Sequence, residues 1–217
     1  MSISSGLRAA LTFRAANKPA IVLAALAVVA TVAIGQQPPD ALQMYREGRY
    51  NQAVETTLGE LDDNPRNMNA YSVLGWSLLA LGRYEEAVEY GLQGLQVAPS
   101  DQRVLHIVGE ARFQLGDDPE ALEYFQRYIA AAPQGNLVPQ VYRNIGEILI
   151  RFEEYNRADI ALSTAVHHNG NNAGWWARLG YAREQAEEFE SARSAYERAL
   201  ELNSANTEAA GGLERLP

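Results

Sequence analysis

Three arginines, Arg103, Arg143 and Arg178, with Asn144 beside the second, are the side chains best suited to hold a charged group. A guanidinium fork matches a carboxylate through two parallel hydrogen bonds, so together they could receive an acidic side chain or the C-terminus of a polypeptide. The competing reading pairs them with Glu110, Glu147 and Glu184 of the same protein. Other constellations carry less chemistry. Glu85-Glu86, Glu153-Glu154 and Glu187-Glu188 resemble acid/base pairs, but they recur just ahead of helical patterns, where the helix dipole favours negative charge. His167 and His168 are adjacent, so they leave a helix in different directions, and a metal needs more converging ligands. No nucleophile, base and orienting group form a set. The expectation is a non-catalytic protein with no cofactor and no metal.

Composition narrows the partners. The protein has 217 residues, 47% of them hydrophobic, and a net charge of −9. Its three basic groups before Asp40 are Arg8, Arg14 and Lys18, which leaves about −12 on the remainder. Such a surface repels polyanions, so nucleic acid is not an expected partner. Cysteine is absent, which removes disulfides, thiolate metal sites and lipidation at a Cys. Lys18 is the only lysine, so residues 19–217 offer none for a P-loop or a Schiff base.

Residues 1–35 read as a targeting segment. A basic stretch without acids precedes a 16-residue apolar run at 20–35, slightly short for a span of about 20 residues. It is either a cleaved signal, with Ala33-Ile34-Gly35 as the small-x-small site, or a retained signal-anchor helix. Either way the basic end stays in the cytoplasm and the rest is exported to the periplasmic side. Gln36-Gln37 link this segment to the repeats.

The elements that must position the arginines repeat. Tyr71, Leu74, Gly75, Leu78, Gly82, Tyr84, Ala87 and Pro99 stand at positions 4, 7, 8, 11, 15, 17, 20 and 32 of a stretch starting at Met68. A second copy comes 34 residues later with Leu105, Val108, Gly109, Gly116, Ala121, Phe125 and Pro133. A fixed period of this size marks stacked supersecondary units. The grid gives a degenerate first repeat at 38–67, then repeats at 68–101, 102–135, 139–172 and 173–206, with a three-residue insertion at 136–138 and a capping segment at 207–217. Positions 4, 7, 8 and 11 share one face of a first helix, and 20, 24 and 27 share one face of a second. Paired small residues at positions 8 and 20, such as Gly75/Ala87 and Gly180/Ala192, are expected to let the two helices approach. Asp118-Pro119 is expected to start a helix as N-cap and first residue.

On these residues the sequence resembles the tetratricopeptide repeat family over about residues 38–206. The resemblance implies an all-α, right-handed solenoid of about five helix pairs whose first helices line a groove. It places a peptide-binding groove at Trp76, Arg103, His106, Glu110, Phe113, Arg143, Asn144, Glu147, Arg178 and Tyr181. Trp76, Phe113 and Tyr181 are the large aromatics off the structural grid, and aromatics are common anchors at interfaces. The carboxylate clamp of chaperone-binding members is not matched, because His106 and Glu110 stand where Lys and Asn are required. The function implied is an exported protein- or peptide-binding adaptor of an envelope assembly or secretion complex, of open oligomeric state. A self-associating structural protein and an accessory subunit of an envelope enzyme are the alternatives.

Overall fold

The structure, a computed structural model, describes residues 40–217; the segment at 1–35, with its signal or anchor reading, lies outside the described residues. Among the described residues there are eleven helices and no strand. The first helices of successive pairs are α1 (Ala41–Arg46), α3 (Met68–Ala80), α5 (Gln102–Leu115), α7 (Val138–Arg151) and α9 (Ala173–Gln185). Their partners are α2 (Tyr50–Asp63), α4 (Tyr84–Val97), α6 (Asp118–Ala131), α8 (Tyr155–His168) and α10 (Phe189–Leu202). A final helix, α11 (Thr207–Arg215), stacks on α9 and α10 as the first helix of a further pair would. Each first helix touches the next first helix, whereas successive second helices make no such contact. The result is a helical solenoid whose neighbours stack one on the next. No described helix is long and apolar enough to cross a membrane.

The two helix types begin differently. Asp40, Asn67, Asp101, Asn172 and Asn206 cap α1, α3, α5, α9 and α11, each accepting a backbone N–H of the first turn through its side-chain oxygen. The second helices lack a capping side chain. They come after a tight left-handed turn in which a backbone N–H reaches back to the preceding helix, for example Arg83 to Leu78 and Asp117 to Arg112, both at 2.9 Å. Gly48, Gly82 and Gly116 supply the positive φ. Glu153 and Glu187 hold the same turn at φ 59° and 63°, where a side chain is strained. These two glutamates therefore sit in the turn, not at the second-helix start expected of them. Asp118 also departs from expectation. Asp117 is the N-cap of α6, and Asp118 is its first residue, mostly buried and bound to Arg151 at 2.6 Å.

Packing explains the glycines at position 8 by the large side chains seated on them. A Cβ on Gly109 would lie 2.8 Å from the Phe125 ring, on Gly146 2.5 Å from Leu162, and on Gly180 2.5 Å from the Tyr196 ring. The residue facing each glycine is thus the large side chain at position 24, not the alanine at position 20. In the 68–101 repeat position 24 is Gly91, and the next repeat fills the space. Ile107 lies over Gly75 and Val108 over Gly91, with would-be Cβ contacts of 2.7 and 2.4 Å. Phe125, Leu162 and Tyr196 are fully buried.

The adjacent glycines of α11 separate propensity from packing. A Cβ on Gly212 would lie 2.2 Å from the buried Tyr196 ring, whereas on Gly211 it meets only Arg215 Nη1, at 3.6 Å. Gly211→Ala is expected to stabilise the fold by about 0.5–1 kcal/mol through helix propensity. Gly212→Ala is expected to cost about 1–3 kcal/mol by overpacking. Thermal denaturation of the two variants against wild type measures both.

Candidate functional site

The face formed by the first helices divides into a polar half and an aromatic half. In the polar half a side chain at position 6 of one first helix reaches the glutamate at position 9 of the preceding one. Asn144 Nδ2 donates to Glu110 at 2.8 Å across 34 residues. Arg178 donates from Nε and Nη2 to Glu147 at 2.9 Å, and from Nη1 to Glu208 of α11 at 2.7 Å. Arg143 donates to Asn144 Oδ1 at 2.9 Å and stands 4.0 Å from Glu147. At the far end Arg215 closes on Glu184, which also accepts from the Tyr196 hydroxyl at 2.5 Å. Burial alone would depress the Arg178 guanidinium, but its bonds to Glu147 and Glu208 raise its pKa further above the ordinary value. Arg103 is likewise occupied, by Asp101 at 2.8 Å and by Asn69 at 2.9 Å. The forks of Arg103 and Arg178 are therefore filled from within the protein.

Toward α1 the equivalent positions are apolar, Trp76 at position 9 and Ile107 at position 6. A cavity of about 600 Å³ opens here between α1, α3, α5, α6 and the 136–137 loop. Leu42, Tyr45, Trp76, Tyr128 and Leu137 supply its apolar walls, and Arg46, Arg103 and His106 its basic ones; no carboxylate lines it. Trp76 stacks at a tilt on Tyr45 with ring centroids 5.9 Å apart, and His106 meets Tyr128 edge-on at 5.9 Å. The insertion makes room for this space. It lengthens the α6–α7 connection, and α6 and α7 touch less than any other consecutive pair from α2 to α10.

Of the ten residues singled out in the sequence, Trp76, Arg103 and His106 come together at the cavity, while Glu110, Arg143, Asn144, Glu147 and Arg178 form the ladder. Phe113 is corrected to a structural residue. It is 8% exposed, packs on Phe125 and lies under the Arg151 guanidinium at 4.5 Å. Asn144 is fully buried, so it fastens α7 to α5 instead of facing a groove. Position 6 faces the neighbouring first helix and not open space. Tyr181 is half-buried with Arg178 stacked over its ring at 4.9 Å. Sequence reasoning missed Tyr45, Arg46, Tyr128 and Leu137. The first two sit on the short α1, which reads as a mere cap, and the insertion beside Leu137 was the available signal. His167 and His168 end α8, both exposed, and no group of three or more metal-binding residues converges among the described residues.

Both ring nitrogens of His106 are buried without a hydrogen-bond partner. Burial pushes its pKa below the usual 6.5, with the Glu110 charge pulling the other way and Arg103 and Tyr128 as its other neighbours. A histidine neutral in the fold but protonated when unfolded lowers stability as pH falls below about 6.5. Wild type is expected to lose more stability between pH 7 and pH 5 than His106→Leu does. Denaturant midpoints at the two pH values measure the difference.

Comparison with known proteins agrees with this geometry. Models described as "Tetratricopeptide repeat" match residues 40–102 and 92–136, and a further one matches 175–206. Together they span more than half of the sequence. No curated protein matches. Among solved structures, a MamA crystal structure superposes with a TM-score of 0.69 at 19% identity, covering 76% of this chain and 95% of that one. MamA from Desulfovibrio magneticus RS-1 gives 0.68 at 18% identity, with 77% and 93% covered. YrrB, described as a TPR protein with an unusual peptide-binding site, gives 0.69 at 16% identity, with 80% and 88% covered. At such identities the likeness is one of fold. The repeat grid, the stacked helix pairs and the matching models together establish that the protein belongs to the tetratricopeptide repeat family.

Proposed function

We propose that this protein is a non-catalytic scaffold that captures a peptide segment of another protein on its first-helix face, outside the cytoplasmic membrane. The observation that carries this reading is the aromatic cavity between α1, α3 and α5, with Trp76 half-buried in its wall. Concave sites with apolar walls and a few convergent polar groups are where proteins bind ligands. In the polar half of the same face Asn144 and Arg178 are already bonded to Glu110, Glu147 and Glu208, so that half holds the helices together and leaves the α1 half as the reading surface. The peptide-binding site described for YrrB, a protein of like fold, supports peptide as the ligand class.

The export component rests on residues 1–35, a basic stretch leading into the apolar run. Retained, that run tethers the solenoid to the cytoplasmic membrane; cleaved, it releases the solenoid to the periplasm. An envelope assembly or secretion complex is the corresponding setting. Intact mass of the purified protein separates the two forms, since a mature protein starting near Gln36 contains no lysine.

A photoreactive residue placed in cells at Gln102 or Asn136, both exposed at the cavity rim, is expected to crosslink a discrete protein partner. The same residue at Ile160, 67% exposed on α8 and away from the cavity, is the control. Equal capture from Ile160, or none from the rim, contradicts the reading.

A further inference from the structure

The α1–α3–α5 cavity is specific about its occupant. In a protein of net charge −9 its lining holds Arg46, Arg103 and His106 and no acid. The neighbouring cleft beside Ser72 and Val73 includes Asp40 and Glu60, and the one near the 153–157 turn includes Glu153, Glu154 and Glu187. Arg103 is engaged by Asp101 and Asn69. Arg46, in the last turn of α1, is exposed and pairs with no carboxylate among the described residues. Residues 1–39 contain no Asp or Glu, so the protein's own N-terminal segment has no acidic residue to offer it.

Next to this cation are three aromatic rings and two leucines, the walls a large apolar side chain requires. The His106 ring meets Tyr128 edge-on within the same wall, its nitrogens buried. We infer that the cavity takes a peptide in which a large apolar residue adjoins a carboxylate. The apolar side chain enters among Tyr45, Trp76 and Tyr128, and the carboxylate pairs with Arg46. The inference rests on the peptide-capture reading and specifies its ligand.

The carboxylate can come from an Asp or Glu residue or from the C-terminus of the peptide, and the two sources share the Arg46 contact.

The test selects binders to the full-length protein from random peptides displayed both internally and with free C-termini. Enrichment of Phe, Trp, Leu or Ile beside a carboxylate is expected. Arg46→Gln, an exposed change that removes no internal ion pair, should then weaken the best acidic peptide at least tenfold. It should leave the matching amide peptide unchanged. Trp76→Ala should weaken both. Enrichment in the internal format names Asp or Glu as the source, and enrichment only with free C-termini names the terminal carboxylate; both support the inference. Peptides that bind without a carboxylate, or whose affinity ignores Arg46, overturn the inference while leaving peptide capture intact. Failure of every peptide in both formats overturns the capture reading and the inference with it. Light scattering of the peptide-free protein covers a second copy as occupant: growth with concentration that Arg46→Gln abolishes would also overturn it.

Discussion

A side chain at position 24 seated against a glycine at position 8 is the contact on which this solenoid depends. Phe125 on Gly109, Leu162 on Gly146 and Tyr196 on Gly180 each bring a second helix against its first with no room for a methyl group. Interiors packed this closely tolerate neither voids nor added atoms. The exception obeys the same logic. Where position 24 is Gly91, the next first helix advances, and Ile107 and Val108 occupy the vacated space over Gly75 and Gly91. That shift draws α5 against α3 and α4, beside the wall in which Trp76 and His106 stand.

Given this packing, the first-helix face divides its labour. Along α7, α9 and α11, charged and amide side chains bind one another across successive repeats, through Asn144 to Glu110 and Arg178 to Glu147 and Glu208. Such partly buried networks fix the stacking register, and a ligand would have to break them to bind there. Toward α1 the same two positions are Trp76 and Ile107, and no polar partner is available or needed. The insertion at 136–138 then spaces α7 from α6, and Tyr128 and Leu137 complete an aromatic recess. The internal bonds thus occupy one end of this surface, and the proposed recognition site the other.

Much of the fold was legible because the repeat grid is a local and periodic signal. Gly82, Gly116, Pro99 and Pro133 announce turns and helix ends through backbone chemistry that depends little on context. Glu153 and Glu187 were harder. Only their alignment with Gly82 and Gly116 reveals the left-handed turn, since glutamate has no preference for it. The small residues at position 8 signal a close approach of the two helices, but not which large side chain the glycine seats, because that side chain lies on the second helix or, for Gly75, in the next repeat. Asn144 and Phe113 lie at positions that the family's geometry assigns to a groove. Their burial reflects how closely neighbouring first helices stack, a long-range property that no window of sequence displays. Tyr45 and Arg46 escaped notice because six residues of helix read as a cap, yet α1 forms one wall of the cavity.

The proposed division of the surface into a ligand-reading end and a self-bonded end can be measured directly. Hydrogen–deuterium exchange of the full-length protein, with and without the partner captured at the Gln102 rim, tracks every helix at once. Slower exchange on binding is predicted for α1, α3 and α5, with α9 and α11 unchanged. Protection centred on α9 and α11, with α1 and α3 unaffected, would contradict it.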